Sequence, residues 1–133
     1  MIVLDTDVCI ALLRGSKRII DRRTATSEPV ATTAVTVGEL RYGAEKSANP
    51  NANQALVTIF LRTLPVFELS TAAAARFGEI KARLERTGQR LDDADIWIAA
   101  ISIQQGASLA TGNTRHYRRI SELVLEDWLH SAV

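Results

Sequence analysis

Three carboxylates and one amide stand out as groups able to do chemistry: Asp5, Glu39, Asp95 and Asn113. Asp5 follows four apolar residues, Met1 to Leu4, which hold no turn signal and read as a strand buried on both faces. A carboxylate at the end of such a strand needs a cation or a hydrogen-bond partner. Glu39 lies in a helical segment. Its neighbours three and four places away are Val35, Thr36, Tyr42 and Gly43, and none is basic. With no local ion pair, Glu39 either faces water or is aimed outside its own helix. Asp95 opens a segment, Ile96 to Ile103, that is apolar nearly all round, so it is expected near-buried. Asn113 follows Ala107–Thr111, which reads as a strand. Thr36 and Thr111 stand nearby in sequence as hydroxyl donors.

Carboxylates gathered in one place repel each other and cannot all stay ionised unaided. A divalent cation with oxygen ligands resolves this. Mg²⁺, with Mn²⁺ as a substitute, suits one or two carboxylates plus waters and leaves positions for a phosphate. Such a site generates hydroxide or polarises a phosphoryl oxygen, which is hydrolysis of phosphate esters. Plain helix capping competes with this reading. Asp7 is the expected cap of the helix starting near Val8, whereas Asp5 sits too close to the strand for capping to explain it well. Among Asp92, Asp93 and Asp95, one residue caps and others favour the positive helix end; Asp93 is the expected cap. That leaves Asp95 over.

The elements that must position these groups alternate between strand and helix. A short helix, Asp7 to Arg14, stops at Gly15. Ser16 can cap the next, Lys17 to Arg23. Pro29–Thr33 reads as a second strand, and Thr33 or Thr36 as the cap of the helix carrying Glu39. Asn49–Asn53 is a loop by composition. Gln54–Leu64 reads as a helix with Leu56, Val57, Ile59, Phe60 and Leu64 inward. Pro65–Leu69 is a third strand, and Ala72–Arg86 an amphipathic helix capped by Ser70 or Thr71. After the Asp95 helix and the Ala107–Thr111 strand, Arg115–Arg119 is a short helix or loop. Leu123–Leu125 is an edge strand, and Trp128 and Leu129 pack the tail. This order predicts one α/β domain over residues 1–133, a three-layer α/β/α fold with a central, mainly parallel sheet of four or five strands. In such a sheet the strand ends and the helix starts that follow them share one edge. Asp5, Asn113 and Glu39 can then converge there; Asp95 joins them only if its helix points the same way.

Composition narrows the function classes. The 133 residues are 47% hydrophobic, enough for a core and too apolar for disorder, and no run approaches a membrane span. No basic stretch precedes Ile2, so a signal-peptide layout is not expected. The single Cys9 excludes an intramolecular disulfide, fits a reducing cytoplasm and is expected to pack as a small hydrophobe. Net charge is +1, so the whole chain is no electrostatic magnet for nucleic acid. Bases nevertheless cluster at Arg14, Lys17, Arg18, Arg22 and Arg23, and at Arg115, Arg118 and Arg119. Either cluster can serve as a phosphate-binding edge or simply as a solvated face.

Four blocks together resemble PIN-domain ribonucleases, specifically VapC-type toxins of toxin–antitoxin pairs. They are Ile2-Val-Leu-Asp5-Thr-Asp7, Thr33 to Gly43, Asp93-Ala-Asp95-Ile-Trp-Ile-Ala-Ala100, and Leu109 to Arg115. The likeness spans essentially the whole chain. It implies that Asp5 and Asp95 hold Mg²⁺, that Glu39 completes the site directly or through water, and that an activated water attacks an RNA phosphodiester. The fourth acidic position of the family falls on Asn113, a neutral oxygen ligand or donor, which puts a second metal in question. Asp7 stands where the family often has Asn. The resemblance also implies a homodimer and a cognate VapB-type antitoxin whose tail blocks the acidic pocket. Two rivals remain. One is a non-catalytic PIN-like RNA- or partner-binding protein. The other is a haloacid-dehalogenase-like phosphatase with Asp5 as nucleophile, Asp7 as acid and Asp92-Asp93 as its late acidic pair; that reading gives Glu39 no role.

Overall fold

The computed structural model describes residues 1–130. Five strands are joined by seven helices. In chain order they are β1 (Ile2–Leu4), α1 (Thr6–Leu13), α2 (Lys17–Ala25), β2 (Val30–Thr33), α3 (Ala34–Glu45), α4 (Pro50–Leu61), β3 (Val66–Phe67), α5 (Thr71–Arg86), α6 (Asp93–Gln104), β4 (Ser108–Thr111), α7 (Thr114–Tyr117) and β5 (Leu125–Asp127). The sheet order is β3-β2-β1-β4-β5 and every pairing is parallel. β1 is the central strand, which is why Ile2, Val3 and Leu4 are all buried. Side chains alternate across it. Ile2 and Leu4 join a core with Val8, Cys9, Ile19, Leu40, Val57 and Phe60 from α1 to α4. Val3 joins the opposite core with Ile80, Leu84, Ile96 and Ile98 from α5 and α6. Full burial of each such side chain stabilises by about 1.5–3 kcal/mol, so the three residues of β1 anchor both layers. The three-layer parallel architecture is as expected from the alternation.

Helix ends follow capping chemistry, with corrections. Asp5, not Asp7, is the N-cap of α1: its carboxylate accepts the Thr6 amide at 2.9 Å. The helix therefore starts one residue early, directly off the strand. Thr33 Oγ1 accepts from the Thr36 amide and Ser70 Oγ from the Ala73 amide, as expected. Ser16 stands at the N-cap of α2 without a side-chain bond. Asp93 is not a cap. Asp92 holds the N-cap position of α6, and Asp93 pairs with Lys81 at 2.9 Å. Gly15 and Gly106, at φ 77° and 63°, end α1 and α6 in the left-handed conformation that a side chain resists.

Other boundaries move for identifiable reasons. α4 begins at Pro50, inside the stretch whose composition reads as loop, because Pro suits the first helical position. Leu56 and Ile59 are 52% and 59% exposed, not inward; Val57, Phe60 and Leu64 fill the core, as expected. β3 shrinks to Val66–Phe67. β5 shifts to Leu125–Asp127, where Leu125 pairs with Leu109 and Asp127 with Thr111. Cys9 is buried, and burial pushes its thiol up to about 12, so it is an inert packing group. No helix among the described residues is long and apolar enough to cross a membrane.

The tail closes over the end of β4. Trp128 is fully buried, with Arg22 stacked 5.3 Å from its ring. Arg18 donates to the Trp128 and Leu129 carbonyls. A Cβ on Gly112 would lie 2.6 Å from Leu129 Cδ1 and 2.8 Å from its Cβ, so Gly112 is small because the tail lies on it. Gly112→Ala is expected to cost about 1–3 kcal/mol, seen as a lower urea midpoint.

Candidate active site

Asp5 is the hub, at the carboxyl end of β1 beside β4, where the strand order reverses. Its amide bonds the Ala110 carbonyl at 2.9 Å, fixing it to the neighbouring strand. Asp5 as a whole is 6% exposed. Oδ1 accepts from the Thr6 amide and, at 3.4 Å, from the Tyr117 hydroxyl. Oδ2 accepts from Thr111 Oγ1 at 2.8 Å. The same Tyr117 hydroxyl lies 3.3 Å from Asp95 Oδ1, so the first turn of α6 does point at this edge. Asp95 is half-buried, less enclosed than the apolar helix behind it.

Glu39 reaches in from α3. Thr6 Oγ1 donates to Glu39 Oε1 at 2.6 Å and contacts Thr36 Oγ1 at 2.9 Å. A hydroxyl has one proton, so the chain runs from Thr36 to Thr6 to Glu39. Glu39 is exposed, which answers the question its sequence neighbours raised: it meets water and the site at once. Asn113 stands at the N-cap of α7 without a side-chain cap bond; its backbone N–H donates to Thr111 Oγ1 at 2.9 Å. Asp5, Glu39, Asp95 and Asn113 therefore share one edge: the Thr6 amide and hydroxyl tie Asp5 to Glu39, the Tyr117 hydroxyl ties Asp5 to Asp95, and the Thr111 hydroxyl ties Asp5 to the Asn113 backbone.

Sequence reasoning named Thr36 and Thr111 but missed Thr6, Tyr117 and the part played by Asp7. Thr6 hides between two acids that draw the eye, and Tyr117 sits in a segment too short for periodicity. Asp7 Oδ2 accepts from the Gly112 amide at 2.9 Å, tying α1 to the loop after β4. Its Oδ1 is buried without a hydrogen-bond partner among the described residues.

The electrostatics are those of too many acids in too little water. Burial, then Asp7 and Asp95 alongside, raise Asp5 to about 7 against the donors that partly hold it down. Burial raises Asp7, with Asp127 adding to it. Burial, then Asp92 and Glu39, raise Asp95. The Tyr117 phenol is driven far above its ordinary range by burial and the two carboxylates, so it is a donor. No group of three or more His, Cys, Asp or Glu among the described residues forms a ready-made cation cage. The donor set is all oxygen, with carboxylates whose charge is under-compensated. It fits a hard cation that takes one or two carboxylates and keeps its waters.

The early basic cluster is mostly spent on structure. Arg18 and Arg22 hold the tail, and Arg23 donates to Thr63. Arg119 is tied to the Arg90 carbonyl. Arg14 lines a groove that contains Glu39, and Arg115 lies in α7 beside Asn113. Asp93, spent on Lys81 in an exposed pair, stands apart from Asp95. Asp93→Ala is expected to cleave within about twofold of wild type in an RNA cleavage assay, because surface pairs contribute little.

Residues 2–123 match the PIN domain family. Ribonuclease VapC2 of Haemophilus influenzae is 35% identical over 128 residues, covering 96% of this chain and 97% of that protein. The tRNA(fMet)-specific endonuclease VapC of Salmonella typhimurium is 35% identical over 127 residues, covering 95% and 96%. The crystal structure of DNA-bound VapBC from Salmonella typhimurium superposes with a TM-score of 0.90 at 34% identity, covering 96% of this chain and 97% of that one. The chain belongs to the PIN-domain family, among its VapC ribonucleases. The phosphatase alternative falls: Asp92 and Asp93 open a helix, and Asp93 is neutralised by Lys81.

Proposed function

We propose that this chain is the toxin of a type II toxin–antitoxin pair, an endoribonuclease that hydrolyses RNA phosphodiesters until a cognate VapB-type antitoxin inhibits it. Membership among VapC ribonucleases supports the activity and the partner. The observation that carries the site is the convergence of Asp5, Glu39 and Asp95 on the edge where the strand order reverses.

In our reading Asp5 and Asp95 would hold a divalent cation, Mg²⁺ with Mn²⁺ as substitute, and Glu39 would complete the site directly or through water. Bound there, the cation supplies an activated water or polarises the phosphoryl oxygen. The protein's share is positioning. Thr111 and the Thr6 amide fix both oxygens of Asp5, and the Thr6 hydroxyl holds Glu39. Asn113 stands at the family's fourth acidic position and offers a neutral amide toward the phosphodiester or the cation, which suits a single cation. Arg14 and Arg115 flank the edge as phosphate contacts.

A groove of about 310 Å³ runs between α1, α3 and α4, lined by Ile10, Leu13, Leu40, Leu56 and Val57 and containing Glu39. We take it as the seat of the antitoxin, because its apolar floor is continuous with the acidic edge. A basic side chain entering from there meets uncompensated carboxylates. We further propose a homodimer and a cytoplasmic site of action, as the family resemblance and the lone reduced thiol suggest. The test is purified protein on total cellular RNA. Discrete fragments that appear with Mg²⁺ and vanish with EDTA or added antitoxin support the reading. Intact RNA under all conditions from well-folded protein favours the non-catalytic alternative.

A further inference from the structure

We infer that Tyr117 is a positioning residue whose phenol, shared between Asp5 and Asp95, sets the two carboxylates for cation binding. Tyr117 is fully buried in the core beneath the site. A phenylalanine would fill the same volume and make the same apolar contacts. The hydroxyl is the surplus, and a buried hydroxyl is costly unless bonded. Its partners are Asp5 Oδ1 at 3.4 Å and Asp95 Oδ1 at 3.3 Å. Both distances are long for a hydroxyl bond, as suits one proton shared by two acceptors.

The two acids do not depend on it equally. Asp5 is also held by the Thr6 amide and Thr111 Oγ1. The Asp95 carboxylate has no other hydrogen-bond donor among the described residues. Without the phenol, Asp95 is free to rotate, and nothing bridges α6 to the end of β1 at this point. Donors behind ligating carboxylates orient them, and their loss typically lowers metal affinity about 10–100-fold. The inference rests on the reading that Asp5 and Asp95 hold the cation.

The test is calorimetric titration of full-length wild type and Tyr117→Phe with Mn²⁺ alone, beside thermal unfolding of both in EDTA. The expected result is Mn²⁺ affinity lowered about 10–100-fold in Tyr117→Phe, with near-equal unfolding temperatures in EDTA. A role in packing alone moves the unfolding temperature and leaves affinity unchanged, and equal or tighter Mn²⁺ binding overturns the inference. A second measurement needs no change at position 117. The chain has two tyrosines, so 3-fluorotyrosine labelling gives two ¹⁹F resonances, assigned with Tyr42→Phe. The Tyr117 resonance should shift saturably on Mg²⁺ addition; an unmoved resonance in cation-bound protein overturns the role. Wild type that binds no cation sinks the metal reading and this inference together. Wild type and Tyr117→Phe binding alike sinks this inference alone.

Discussion

Asp5→Ala, Glu39→Ala and Asp95→Ala should each lower RNA cleavage by about three orders of magnitude or more, roughly 4 kcal/mol in the barrier. The three groups come from the end of β1, from α3 and from the start of α6. The Tyr117 hydroxyl joins Asp95 to Asp5, and Thr6 touches both Asp5, through its amide, and Glu39, through its hydroxyl. A large loss at all three marks a joint site, since no one of them could then substitute for another. The fold should persist. Glu39 is exposed, and Asp95 leaves Tyr117 still bonded to Asp5. Asp5→Ala loses a helix cap, about 1 kcal/mol, but also removes a buried charge. Circular dichroism beside the cleavage assay separates lost chemistry from lost structure. Wild-type cleavage by any of the three would remove that residue from the site.

Cation-free Asp5→Asn should be more stable than wild type above pH 7. Asp5 ionises near 3.8 in the unfolded chain and is raised to about 7 in the fold, chiefly by burial. Between those values the folded chain keeps a proton that the unfolded chain releases. Stability from this group is therefore full below the unfolded value and is lost as pH rises through the folded one. The loss totals at most ~4 kcal/mol. Asp95 and Asp7, also raised, act in the same direction. Asparagine carries no charge to desolvate, so its stability should vary less with pH. In EDTA at pH 8 its unfolding temperature should exceed that of wild type by on the order of 10 °C. A divalent cation should restore wild type at the same pH. If Asp5→Asn were the less stable protein there, the carboxylate would be well accommodated without a cation.

Much of this was legible in the sequence because some segments allow few alternatives. Met1 to Leu4 is apolar without a break and ends in an acid, which suits a central parallel strand. Ile96 to Ile103 is apolar on every side and has to be buried, so Asp95 must lie at the mouth of a buried helix. The four marked positions do share an edge. Other features were not legible. Asp5 and Asp7 are the same residue type two apart, so only geometry decides which caps. Leu56, Val57, Ile59, Phe60 and Leu61 ring α4, and periodicity selects no face; Leu56 ends up exposed on the rim of the groove that contains Glu39. Arg18, Arg22 and Arg23 look like a phosphate-binding edge until the tail folds back onto the first two and Thr63 takes the third. Tyr117 carried one usable signal: it follows β4 at the same edge as Asn113.

The measurement that tests the central claim most directly is the rate of RNA cleavage against Mg²⁺ concentration, wild type beside Asp5→Ala. Saturable cleavage by wild type, abolished by EDTA, restored by added metal and absent in Asp5→Ala, is the predicted result. Cleavage that survives EDTA, or that Asp5→Ala performs as fast as wild type, would contradict a cation site built on Asp5.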